Sequence, residues 1–130
     1  MKYPKQIKKV KVKKAKKVSK STLKNKADKL FSLFVRSLDH CERDGEVRYL
    51  QTAHIYSRRY VNLRYDIQNV LCLCARCHRW AHDNPLDFVA WFNSTYPERY
   101  AYLKKKKKII RKWVVDDYLK VIEEIKNYIR

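Results

Sequence analysis

At 130 residues the chain suits one domain with appendages and leaves no room for two full cores. Hydrophobic residues make up 45% of it, which excludes a wholly disordered chain, and its single glycine, Gly45, excludes the glycine-rich phosphate loops of nucleotide-driven enzymes. Its 32 lysines and arginines against 13 acidic residues give a formal charge of +19, so the partner the electrostatics favour is a polyanion, nucleic acid first.

Met1 to Lys26 is rich in lysine and carries no acidic residue. It lacks the apolar region and the small-residue cleavage site of a signal peptide, so an intracellular, cytoplasmic address is expected. Residues 1–26 read as a flexible basic arm that orders on a phosphate backbone or merely solubilises the chain, and residues 27–130 as the folded domain. No long apolar span or lipidation motif points to a membrane partner.

From Ala27 to Leu38 the spacing of Leu30, Phe31, Phe34, Val35 and Leu38 predicts a short amphipathic helix. Asp44-Gly45 is a turn signal, and Val47 to Ile55 is β-prone. Residues 56–68 read as a polar, basic loop holding Arg58, Arg59 and Arg64. A second strand is expected from Asn69 to Leu73, then a helix from Ala75 to His82 stopped by Asp83-Asn84-Pro85. Leu86 to Asn93 predicts another helix. The run Lys104, Lys105, Lys106, Lys107 and Lys108 reads as a solvated connection facing phosphates. A last helix, from about Val114 to Ile129, carries an apolar stripe of Val115, Tyr118 or Leu119, Ile122, Ile125 and Ile129.

All four histidines and all four cysteines fall between His40 and His82. In a reducing compartment such cysteines point to metal or core packing before disulfides. Cys74 and Cys77 form a C-x2-C pair, whose spacing lets two thiolates share one tetrahedral zinc. Cys41 and Asp44 repeat that spacing with a carboxylate in the second place, and His40 competes as the fourth ligand. Cys72, on the expected strand, reads as core.

A second pattern overlies the first. His78 and His82 lie four apart on a helix, so both rings leave the same face, as a shared divalent ion requires. Upstream stand His54 at one strand end and Asn69 at the start of the next. Phosphodiester hydrolysis needs an activated water and compensation of charge at phosphorus. His54 is the candidate general base, Asn69 or its neighbouring backbone orients it, and Mg²⁺ or Mn²⁺ on His78 and His82 serves the phosphate. Arg58, Arg59 and Arg64, with Lys104 to Lys108, are the candidate nucleic-acid contacts.

The ordered set His54, Asn69 and Cys74-Ala-Arg-Cys77-His78-Arg-Trp-Ala-His82 resembles the HNH, or His-Me finger, nuclease superfamily. The longer string of Ala53 to Arg59, Leu63 to Asp66, Asn69-Val70 and Cys74 to Asn84, with the closing Trp113 to Lys126 segment, is similar to the NinG/Rap recombination nucleases of lambdoid phages. The resemblance implies an α+β fold: a small zinc-supported ββα-metal core over about 39–84, flanking helices, and a helical extension over 85–130. It implies metal-dependent cleavage of DNA, branched or duplex, in recombination, and paired incisions would suit a homodimer. Three positions depart from the pattern. Ala53 stands where many members place an acidic or histidine ligand, Asp44 stands where a fourth cysteine is common, and His78 stands where the NinG-like branch often has asparagine. The rival readings are a non-catalytic zinc module that binds nucleic acid and a homing or restriction-type endonuclease.

Overall fold

The computed structural model describes residues 18–129, so most of the expected basic arm lies outside the described residues. Helix α1 spans Lys20–Arg36 and opens on Ser19, whose hydroxyl accepts from the Thr22 amide at 3.2 Å. It therefore begins seven residues before the start that the sequence predicts. The reason is that Leu23 and Ala27 prolong the stripe of Phe31 and Val35, so that one buried row runs the length of the helix.

Strands β1 (Leu50–His54) and β2 (Val70–Cys74) form an antiparallel hairpin in which Leu50 faces Cys74 and His54 faces Val70. Every residue of β2 is buried, because helices cover both faces of this two-stranded sheet. Period-two alternation divides β1 between them. Thr52 bonds Ser32 of α1 at 3.2 Å, whereas Gln51 reaches the opposite side to α3.

The segment between the strands is not the open loop expected. It contains a single-turn helix α2 (Val61–Arg64) and a 3-10 turn over Ile67–Asn69. Helix α3 (Ala75–Asp83) follows β2 directly, completing a ββα unit, and α4 (Pro85–Thr95) and α5 (Pro97–Lys107) pack beyond it. Leu63, Leu71, Leu73, Phe92 and Leu103 make the fully buried centre of this half. The lysine run expected as a connection is the last turn of α5 followed by its C-cap, Lys108. Proline at the first position of α4 and again of α5 starts each helix where its missing N–H costs nothing.

Helix α6 (Val115–Ile129) lies along α1 and forms the second half of the core. Tyr118, Ile122 and Ile125 are buried there, while Val115, Leu119 and Ile129 remain exposed. The predicted stripe is thus narrower than its sequence spacing implies, and its packing is within the chain. No helix among the described residues is long and apolar enough to cross a membrane.

Candidate active site and metal centre

The β1 edge of the hairpin, along its whole length, meets α1, α3 and the start of α4 around a cleft of about 830 Å³. His54, His78 and His82 all line it, together with Arg36, Arg58 and Arg59. Three predicted site residues from β1 and α3 therefore converge, and cations ring them.

His54 ends β1, half-buried beside Phe31. Its Nε2 lies 3.1 Å from the backbone carbonyl of Arg64. A carbonyl can only accept, so Nε2 carries the proton and the neutral ring keeps its lone pair on Nδ1. That nitrogen has no hydrogen-bond partner among the described residues. Burial pushes the His54 pKa below its ordinary value; the Arg64 carbonyl works against this and the charges of Arg58 and Arg64 add to it. A neutral, oriented imidazole is what a general base requires.

Asn69 makes no hydrogen bond to the His54 ring; its side chain bonds the backbone of the segment between the strands. It is fully buried and does not line the cleft. Its Oδ1 accepts from the Tyr56 amide at 2.9 Å, and its Nδ2 donates to the carbonyls of Tyr56 and Leu63 at 3.0 Å each. These bonds close the segment between the strands and so fix the neighbouring Arg64 carbonyl that holds His54. An orienting effect of Asn69 on His54 would thus run through this backbone rather than through direct contact.

Arg64, expected among the phosphate contacts, is also committed inward. Its guanidinium bonds both carboxylate oxygens of Asp28, at 2.9 and 2.6 Å, and the Arg58 carbonyl at 3.1 Å, with 8% of the residue exposed. Burial raises the Asp28 pKa, but hydrogen bonds from Arg64 and Tyr65 outweigh it and keep the carboxyl below its ordinary value. Three of the five Arg64 N–H donors are thus committed inward, and burial leaves the guanidinium little surface for a phosphate to meet. Arg58 and Arg59 remain exposed at the cleft.

On α3, the Nε2 atoms of His78 and His82 stand 3.1 Å apart. One ion at about 2.1 Å from each nitrogen would subtend roughly 95° between them, between octahedral and tetrahedral angles. The donor set therefore fits a shared divalent ion. His78 Nδ1 lies 2.6 Å from Gln51 Oε1, an acceptor, so Nδ1 carries the proton and Nε2 is free to ligate. Burial, and secondarily the neighbouring His82, lower the His78 pKa, which favours the neutral ligand form. Sequence reasoning missed Gln51. The only available signal was its position on a strand whose alternate residues had to face the following helix.

Below the hairpin, Cys41, Asp44, Cys74 and Cys77 bring one ligand atom each to within 4.8 Å of one another. Around a tetrahedral zinc, sulfurs at about 2.3 Å would lie roughly 3.8 Å apart and a carboxylate oxygen at about 2.0 Å roughly 3.5 Å from each, so the three thiols and the carboxylate fit zinc with a closure of at most about 1 Å. His40 is not part of it; its ring bonds the Leu38 carbonyl at 3.0 Å, and Asp44 is the fourth member. The turn is set by Gly45, whose φ of 80° brings its amide to the Cys41 carbonyl at 2.9 Å. Arg76 holds the Asp44 carboxyl well below the usual carboxylate range, helped by the Glu46 amide. Burial pushes the Cys77 thiol up to about 12, so a thiolate there needs neighbouring positive charge. Arg43 contributes some, donating to the Cys77 sulfur at 3.5 Å while stacking 3.8 Å over Trp80. Cys72 is fully buried in the core between α1 and α6, as its strand position predicts.

The lysine run serves the fold in part. Lys106 pairs with Asp66 at 2.7 Å, and Lys107 sits 5.0 and 5.2 Å over the rings of Tyr56 and Tyr60. Lys104 lies 5.2 Å over Tyr100, while Lys105 and Lys108 are exposed. None of the five lines the cleft.

Residues 39–84, which span the cysteine cluster, the hairpin and α3, match the HNH endonuclease family model. This stretch is therefore similar to HNH endonuclease domains, a class associated with nuclease and nucleic-acid-binding function. No curated protein and no solved structure matches the chain.

Proposed function

We propose that this protein is a metal-dependent endonuclease that hydrolyses phosphodiester bonds in DNA. The observation that carries the reading is the single cleft in which His54 offers an unpartnered Nδ1 while His78 and His82 offer paired Nε2 atoms. His54 accepts a proton from water as the water oxygen bonds to phosphorus and the 3′-oxygen departs. Arg58, Arg59 and Arg36 hold the flanking phosphates by charge. His78 and His82 would hold Mg²⁺ or Mn²⁺, which would supply Lewis-acid stabilisation of the phosphate and the leaving oxygen. Cys41, Asp44, Cys74 and Cys77 would hold a structural zinc, which would anchor both the turn before β1 and the start of α3.

The similarity of the longer motif to the NinG/Rap nucleases extends the proposal to branched DNA. The cations at the cleft are suited to positioning a backbone rather than reading bases, which agrees with structure-selective cutting. One observation favours the non-catalytic rival: Ala53, on the strand face shared with Gln51, supplies no ligand beside the histidine pair. Labelled duplex, single-stranded and branched DNA, with RNA alongside, incubated with Mg²⁺, Mn²⁺ or EDTA, tests the reading. The proposal expects metal-dependent cutting, fastest on branched DNA. Tight binding without cutting under either ion would favour the rival.

A further inference from the structure

Helix α1 borders a second hollow. Lys20, Ser21 and Lys24 from its first turns, with Arg111 and Lys112 from the segment after α5, enclose about 520 Å³ above Trp113. No carboxylate lines it. Arg111 is held in place by Asp117 at 2.9 Å, while Lys20, Lys24 and Lys112 make no ion pair among the described residues. The lysine-rich residues 1–17, which contain no acidic side chain, join the chain just before this point and add charge of the same sign. Like charges gathered around a hollow repel unless an anion enters.

The chemistry of that anion follows from the floor. Trp113 is 9% exposed, its ring packs against Tyr65 and Tyr118, and its Nε1 donates to Asn62 at 3.0 Å. It offers no open face on which a base could stack, so the contact suits phosphates. The placement relative to the cleft narrows the ligand further. Lys20 and Lys24 continue along α1 to Asp28, Ser32 and Arg36, which line the catalytic cleft at the regular spacing of one helix flank. From Lys24 to Ser32 the helix rises about 12 Å, the axial length of roughly three to four base pairs.

We propose that this second hollow binds backbone phosphates of the same substrate, about three to four base pairs from the phosphodiester in the cleft. The proposal rests on the nucleic-acid reading above and adds to it a fixed direction for the bound strand along α1.

The test compares two double variants of the full chain that remove equal charge. Lys24→Ala/Lys112→Ala empties the hollow of two cations; Lys29→Ala/Lys126→Ala removes two exposed lysines that line neither hollow. Duplex affinity is followed by fluorescence anisotropy across a salt series with no Mg²⁺ or Mn²⁺ added, after thermal melts establish that both variants fold. The first variant is expected to lose about tenfold in affinity and to lower the slope of log K against log salt by about two, with the second unchanged. Equal losses in both variants would reduce the effect to net charge and overturn the proposal, as would no loss in the first. Cleavage by the wild type with Mn²⁺ is read separately. If nothing is cut yet the first variant alone binds weakly, the hollow stands and the nuclease reading falls.

Discussion

Arg64 orients His54 through its backbone while its side chain is consumed by Asp28. The His54 Nε2–H donates to the Arg64 carbonyl at 3.1 Å, and the Arg64 guanidinium bonds Asp28 at 2.9 and 2.6 Å. A charged side chain thus anchors a neutral acceptor, and the acceptor decides which nitrogen of the His54 ring is free.

The pH dependence of cutting follows from that burial. His54 has its pKa lowered from the ordinary 6.5, chiefly by desolvation, so its neutral form persists below that pH. The acid limb of the pH–rate profile should therefore lie below 6.5 and disappear in variants that cannot cut. The same shift has a stability consequence. On acidification the unfolded chain takes up this proton first, so folding weakens as pH drops below 6.5 and is unaffected by this group well above it. A limb above 6.5 would show that His54 is not held as described.

Replacing Asn69 with alanine should act on fold and activity together. The side chain makes three hydrogen bonds in a fully buried site, and its loss strands two carbonyls and an amide. A destabilisation of about 3 kcal/mol is expected in chemical denaturation. Cutting should fall even below the unfolding temperature, because the Arg64 carbonyl is no longer fixed. Full activity in a folded Asn69→Ala protein would contradict the positioning role.

Gln51→Ala should weaken Mn²⁺ binding about 10- to 100-fold in calorimetric titration, because His78 loses the acceptor that sets its tautomer. Gln51→Glu keeps an acceptor at the same reach and should restore most of the affinity. Unchanged binding in the alanine variant would mean that the 2.6 Å contact plays no part in ligation.

The cysteine cluster predicts one zinc per chain by elemental analysis of the purified protein. Removal with a strong chelator should lower the melting temperature sharply, since the site ties the turn at Cys41 to the start of α3. Asp44→Ala should retain zinc more weakly than the wild type, while His40→Ala should retain it fully. The reverse order would return the fourth position to His40.

The periodic elements were legible in the sequence: the hairpin, α3 and α6 depend on local alternation or helical spacing, and each lies near its expected place. The C-x2-C pair and the two histidines four apart were legible for the same reason, since their spacing is itself the geometry. Helix α5 was hidden because a run of lysines carries no apolar period, although Leu103 buries itself just before it. The early start of α1 was hidden because Leu23 and Ala27 gain meaning only against Trp113 and α6. The inward use of Arg64 and the role of Gln51 depend on partners 36 and 27 residues away, which no local pattern encodes.

The most direct measurement is cleavage of DNA by the wild type and by His54→Ala in Mn²⁺, with affinity measured in parallel. Cutting by the wild type is expected, with a loss of at least about 100-fold in the variant and equal binding by both. A wild type that binds and cuts nothing, or a variant that cuts as fast as the wild type, would contradict this expectation.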